Sequence, residues 1–186
     1  DPLIARQCEL HAIPDATDAV TALVRSALDS AAFDLARRHE SFRELYVAAP
    51  LGDVMIEGYI DLLVQTPDGL VIIDWKTDSA SSPKEIDAKL DAYELQGATY
   101  AVALEESTGM DVVECRFVFC KAHGAIERSV VDLTAAKQRV RDALAVGLTA
   151  GGPAQSDEGA GGDQVGSPGF GSTPTDTTSQ PSLFND

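Results

Sequence analysis

From about Ala16 the apolar positions fall at helical spacing, with Val20, Leu23, Val24, Ala27, Leu28 and Leu35 on one stripe, which predicts an amphipathic helix. Residues 1–15 before it are mixed and close on Pro14-Asp15, an irregular lead-in ending in a turn. Further on, the period drops to two. Phe42–Ala49 reads as a strand turned by Pro50-Leu51-Gly52-Asp53, and residues 54–65 and 70–76 read as two more, joined at Pro67-Asp68-Gly69. Ser82-Pro83-Lys84-Glu85 then has the form of a helix start: a serine N-cap, proline at the first helical position and a glutamate completing a capping box. Ile86, Leu90, Tyr93, Gly97, Tyr100 and Leu104 follow in steps of four and three, so this helix is expected to pack on the sheet until Ser107-Thr108-Gly109 ends it. Strands over Val112–Cys120 and Ala125–Val131 turn at Gly124, and Leu133, Ala136, Val140 and Leu144 mark a last helix stopping at Gly147. The predicted order is helix, three strands, helix, two strands, helix: an α/β fold with a mixed central sheet of about five strands flanked by helices.

After Gly151 the periodicity is lost and Gly, Ser, Thr, Pro and Asp dominate, a composition that cannot bury a core. The predicted organisation is a lead-in over 1–15, one domain over 16–150 and a flexible tail over 151–186, in which Phe170 and Leu183-Phe184 could serve as a docking peptide. The chain has 186 residues and a 44% apolar share, enough for one ordinary core, and no apolar run long enough for a membrane span. It begins Asp1-Pro2, without a secretory leader, and reads as a piece of something longer. Cys8, Cys115 and Cys120 are odd in number and form no Cys-x-x-Cys pair, which points to reduced structural thiols and a cytoplasmic location. The net charge is −16; residues 151–186 carry five acids and no Lys or Arg, leaving −11 for residues 1–150. So acidic a domain argues against a simple nucleic-acid-binding module unless a metal neutralises its site or another body holds the strand.

The chemistry gathers in Gly58–Asp78, where each of two apolar strands carries a carboxylate that packing alone would not place there. Asp61 interrupts Tyr59-Ile60-Leu62-Leu63, and Asp74 closes Leu70-Val71-Ile72-Ile73 two residues before Lys76. Residues two apart on a strand share a face, so Asp74 and Lys76 project together, and a hairpin across the turn would bring Asp61 to them. Two carboxylates, an ammonium and the Trp75 carbonyl suit a hard divalent cation and a phosphate. The same residues also fit a surface ion pair ending a strand. Glu44 reads either as an exposed strand residue sharing a face with Tyr46 or as a further site carboxylate. Gln96 reads either as a core-edge amide or as a group looking into the site. His11 suits a solvated loop, and Arg37-Arg38-His39 suits a helix C-terminus.

Taken together, Arg43-Glu44, Glu57-Gly58-Tyr59-Ile60-Asp61-Leu62-Leu63, Asp74-Trp75-Lys76-Thr77-Asp78 and Gln96-Gly97-Ala98-Thr99-Tyr100 resemble the nuclease domain of the RecB/AddA family. That family lies within the PD-(D/E)xK superfamily, and the resemblance covers roughly residues 42–145. It implies a restriction-endonuclease-like fold and the C-terminal domain of a UvrD-like ATP-dependent helicase–nuclease. The implied activity is a metal-dependent DNA exonuclease in double-strand break processing and recombination repair. Mg²⁺ would be its cofactor, with Mn²⁺ as a substitute, and DNA, helicase domains of the same parent chain and a second helicase–nuclease subunit its partners. By the same resemblance Asp61 and Asp74 are metal carboxylates, Trp75 the carbonyl donor and Lys76 the catalytic lysine. Gln96 and Tyr100 support the site and the DNA backbone, Glu44 is a strand acid near it, and Thr77 and Asp78 are structural neighbours. A family helix bearing Gly-x-x-His, whose histidine completes the metal shell, has no counterpart before residue 42 and is expected upstream of this piece, which would leave the piece inactive or weak in metal binding. Cysteine number and spacing do not match the family's four-cysteine iron–sulfur branch, so no cluster is expected. Two other readings stand beside the nuclease: a non-catalytic scaffold or protein-contact domain of a helicase that keeps the fold, and an α/β domain whose acids are surface pairs.

Overall fold

Asp1 and Pro2 start a helix rather than an irregular lead-in. Asp1 Oδ1 accepts the Leu3 N–H at 2.9 Å and the proline takes the first helical position, so α1 runs over Pro2–Leu10 with Cys8 as its buried residue. A short 3₁₀ turn at Pro14–Ala16 follows. The computed structural model describes residues 1–52, 54–77 and 82–150. The described residues lie within one compact unit. The expected tail, its docking residues Phe170, Leu183 and Phe184, and Asp78 lie outside the described residues.

The single helix expected from Ala16 is two, α2 (Thr17–Leu28) and α3 (Ala31–Arg38). Ser30 makes the break: its Oγ accepts the Phe33 N–H at 3.1 Å, a better use of a serine than a helix interior. A carboxylate from far along the chain completes this cap, since Glu127 Oε1 accepts the N–H groups of Ala31 at 2.7 Å and Ala32 at 3.4 Å. Arg37 and Arg38 lie in the last turn of α3, where a helix C-terminus favours cations.

Three antiparallel strands form a meander: β1 (Glu40–Leu51), β2 (Val54–Thr66) and β3 (Gly69–Lys76). Helix α4 (Pro83–Thr108) crosses over to β4 (Val112–Phe119), which lies parallel to β3, and β5 (Ile126–Ser129) pairs antiparallel with β4. The sheet order is β1-β2-β3-β4-β5, closed by α5 (Leu133–Ala150), which runs through Gly147 instead of stopping there. The α4 start carries the full capping box of Ser82 and Glu85, and Gly109, at φ +70°, ends the helix in the left-handed region. The mixed five-strand sheet flanked by helices is the α/β architecture expected, with extra helices at its start.

Alternation on β3 separates two apolar layers. Leu70 and Ile72 join the larger core, with Ile60 and Leu63 of β2, Phe117 and Phe119 of β4, Val102 of α4 and Val140 of α5. Val71 and Ile73 face the other way, toward Leu62, Val64, Val118 and Ala32 of α3. The stripe expected to bury α2 is only partly covered. Val20, Leu23, Val24, Ala27 and Leu28 instead line an apolar groove of about 490 Å³ with Phe33, Trp75, Thr77 and Cys120.

Candidate active site

Alternation decides where the site forms. Asp74 takes the next place in the buried row Leu70-Ile72, and Lys76 the one after, so an acid and an amine continue a row that faces the larger core. Asp74 is only 7% exposed. Its Oδ2 lies 2.7 Å from Lys76 Nζ. The approach falls outside hydrogen-bond angles, so this buried oxygen has a charge beside it and no aligned donor. Burial pushes the Asp74 carboxyl above the usual aspartate range; the adjacent Lys76 ammonium pulls it back, and the Asp61 charge adds a smaller upward push.

The ladder between β2 and β3 ends at Leu62↔Ile73. The next position would set Asp61 opposite Asp74, two carboxylates face to face. Instead Asp61 Oδ2 accepts the Trp75 N–H at 2.8 Å, so a side chain takes over from the ladder where the strands part. Register also sets Glu44 of β1 opposite Asp61, between the pairs Arg43↔Leu62 and Leu45↔Ile60. Glu44 has φ +49°, in the left-handed region, and is exposed. The inward-facing parity changes across it. Phe42 reaches the larger core before it, and Leu45 and Val47 after it; on β2, Ile60 and Leu63 straddle Asp61 in the same way. Alternation through Glu44, which would put it on one face with Tyr46, is therefore broken by its backbone. The two irregular positions lie side by side.

Helix α4 supplies the rest. Lys76 Nζ donates to Gln96 Oε1 at 3.1 Å and sits 4.5 Å from the centre of the Tyr93 ring and 5.7 Å from that of Phe117. An ammonium over aromatic faces keeps its charge at lower desolvation cost. Two glycines let the helix and sheet come this close. A Cβ at Gly97 would overlap Cys115 Sγ and approach Phe117 Cζ to 3.1 Å; a Cβ at Gly58 would lie 2.7 Å from Tyr100 Cε1 and 2.9 Å from its hydroxyl. Gly97 thus sets the depth at which Gln96 reaches Lys76, and Gly58 is the seat of the Tyr100 ring.

A family model described as the PD-(D/E)XK nuclease superfamily matches residues 3–159. The chain belongs to the PD-(D/E)XK nuclease superfamily. Among relatives of this nuclease domain, an ATP-dependent helicase/nuclease subunit from Acetivibrio thermocellus is 35% identical over 77 residues, covering 41% of this chain and 6% of that protein. The protein of the same name from Carboxydothermus hydrogenoformans is 41% identical over 61 residues, covering 33% of this chain and 5% of that protein. The chain therefore spans only about one-twentieth of the length of these relatives. A crystal structure of a Eubacterium rectale protein superposes with a TM-score of 0.49 at 12% identity, covering 80% of this chain and 64% of that one.

The structure draws Asp61, Asp74, Trp75, Lys76 and Gln96 into one connected set of contacts, with Tyr100 packed on β2 beside it. Glu44 adjoins them by register, Thr77 is exposed just beyond β3, and His11 is the exposed cap of α1. Among the described residues no group of three or more His, Cys, Asp and Glu is placed to hold a metal. Two carboxylates still fit a cation that keeps most of its waters, and a buried carboxylate oxygen lacking an aligned donor is what such an ion would satisfy. Cys115 is no competitor: burial, then the charge of Asp74, pushes its thiol up to about 12. Sequence reasoning does not single out Tyr93, which places a ring against the Lys76 ammonium, or the two seat glycines as site residues. The spacing of Tyr93 three residues before Gln96 is the available signal.

Proposed function

We propose that this domain hydrolyses DNA phosphodiesters with a divalent metal, Mg²⁺ in the first place and Mn²⁺ as a substitute. The observation that carries the reading is Asp74: a buried carboxylate, one oxygen without an aligned donor, held beside Lys76 and one strand away from Asp61. Asp61, Asp74 and the Trp75 carbonyl would hold the ion. When bound it polarises a phosphoryl oxygen and lowers the pKa of water. Lys76 puts a positive charge where the oxyanion develops or where the attacking water lies. Gln96 and Tyr93 fix its ammonium, while the Trp75 N–H fixes Asp61. Glu44 and Tyr100 flank this centre, Tyr100 toward the DNA backbone.

In the parent protein the domain would sit behind an ATP-driven helicase in the cytoplasm and act exonucleolytically on broken ends during recombination repair, partnered by a second helicase–nuclease subunit. Support comes from the helicase/nuclease relatives. The test is Mn²⁺-dependent cleavage of linear single-stranded DNA. Loss of that cleavage in Asp74→Ala, with the fold intact, is expected; cleavage undiminished by Asp74→Ala would refute the assignment. A second reading, a nuclease fold kept as a scaffold for protein contacts, draws on the net charge of −16. Metal binding without any cleavage would favour it.

A further inference from the structure

Lys76 Nζ meets several neighbours, and the nearest carboxylate is not its hydrogen-bond partner. Asp74 Oδ2 lies 2.7 Å away, yet among the described residues no donor is aligned on that buried oxygen. The aligned bond runs to Gln96 Oε1 at 3.1 Å, and the ammonium lies over the Tyr93 ring, 4.5 Å from its centre. Tyr93 and Gln96 are three residues apart on α4, so one flank of that helix presents both to the amine. Tyr93 also packs on Phe117 and Phe119, with ring centres 5.5 Å and 5.9 Å apart. These two are the β4 partners of Asp74 and Lys76 in the parallel ladder. The Tyr93 ring therefore stands beside the acid and the amine by register as well as by contact.

We propose that Tyr93 is a positioning residue for metal entry: with Gln96 it draws the Lys76 ammonium toward α4 and off the line of Asp74 Oδ2, which leaves that oxygen to a divalent cation. The inference rests on the nuclease reading and deepens it by saying how one carboxylate sits beside a fixed ammonium and still accepts a second cation. The two positive groups compete for the same oxygen, and away from bulk water that competition is strong. Whatever holds the amine elsewhere favours the ion. An amide oxygen and an aromatic face do so without adding a carboxylate that would itself attract the ion. Packing against Phe117 and Phe119 asks only for a large apolar side chain, which leucine would also supply. Attraction for an ammonium asks for a ring.

The probe is Mn²⁺ alone, its free concentration read by electron paramagnetic resonance as it is titrated into the 186-residue chain without DNA. Tyr93→Leu should weaken binding by about three-fold or more, while Tyr93→Phe should keep the wild-type affinity. Lys76→Met should bind Mn²⁺ more tightly than the wild-type chain. In that background Tyr93→Leu should change nothing, because the cradle has no ammonium to hold. A ring needed only for packing would weaken binding equally in both backgrounds, and that result would overturn the proposal, as would unchanged binding by a folded Tyr93→Leu chain. Gln96→Leu runs the same cycle where Tyr93→Leu does not fold, and an equal cost in both backgrounds there overturns it too. Mn²⁺-dependent cleavage of linear DNA by the wild-type chain separates the two readings. A Tyr93 effect that depends on Lys76, without cleavage, sinks only the nuclease assignment; cleavage with an effect independent of Lys76 sinks the cradle alone; no Mn²⁺ bound by the wild-type chain or by Lys76→Met sinks both.

Discussion

Replacing Gly58 with alanine tests whether the Tyr100 ring is held by the sheet. The added Cβ would meet Tyr100 Cε1 at 2.7 Å, its hydroxyl at 2.9 Å and Cζ at 3.1 Å. Favourable carbon contacts begin near 3.5 Å, so the ring must retreat by about 0.8 Å or more. Overpacking of this kind costs about 1–3 kcal/mol. Tyr100 is half-buried and its ring is the far end of a mobile side chain, which places the cost toward the lower limit. About 1 kcal/mol corresponds to roughly 2–4 °C in Tm for a domain of this size. Cleavage should suffer more than stability, because a displacement near 1 Å in a positioning group can lower rates by about 10²-fold. Urea denaturation of Gly58→Ala, Tyr100→Ala and the double variant closes a cycle: with the ring absent, the alanine at 58 should cost nothing or stabilise the strand. Equal costs in the two backgrounds would refute the seat, and with it the claim that this glycine serves Tyr100.

Gly97→Ala meets Cys115 Sγ and Phe117, both fully buried, so it should destabilise by about 1–3 kcal/mol, with Cys115→Ala recovering part of the loss in the same denaturation assay. Glu127→Ala removes the acceptor for two N–H groups of α3 and a partner of Arg116 at 3.1 Å; a loss of about 1–2 kcal/mol is expected, and faster amide exchange at Ala31 and Ala32 would locate it. Because folding raises the Asp74 pKa, the metal-free native state binds its proton more readily than the unfolded chain. Its stability contribution is thus present below the ordinary aspartate range and is lost as pH rises through the raised value. Melting curves in EDTA should show Asp74→Asn gaining on the wild-type chain across that window, and parallel pH profiles would contradict the burial argument. Lys76→Met should abolish cleavage while leaving Mn²⁺ binding measurable by calorimetry, since the amine is not a ligand; loss of both would assign Lys76 to the metal instead.

Strands β1–β5, helix α4 with its capping box and the shared face of Asp74 and Lys76 were legible because they depend on neighbours two to four residues apart. The helix at the N-terminus was missed, although Asp1 and Pro2 are a cap and a first-turn proline, because nine residues with Cys8 as the buried one leave little periodic signal. The break at Ser30 was hidden for another reason: its serine cap is local, but the carboxylate that completes it comes from Glu127, nearly a hundred residues away in the chain. Glu44 shows the same limit, since alternation predicts a face and only the positive φ beside Asp61 changes it. Local spacing by itself put Asp74 and Lys76 on one face and marked Asp61 as a carboxylate inside an apolar run. Tertiary structure alone decided that β2 would part from β3 at Asp61, that Asp74 would be buried beside an amine, and that two missing Cβ atoms would let α4 reach them. Burial and close approach arise between elements distant in sequence, and no short-range pattern can encode them.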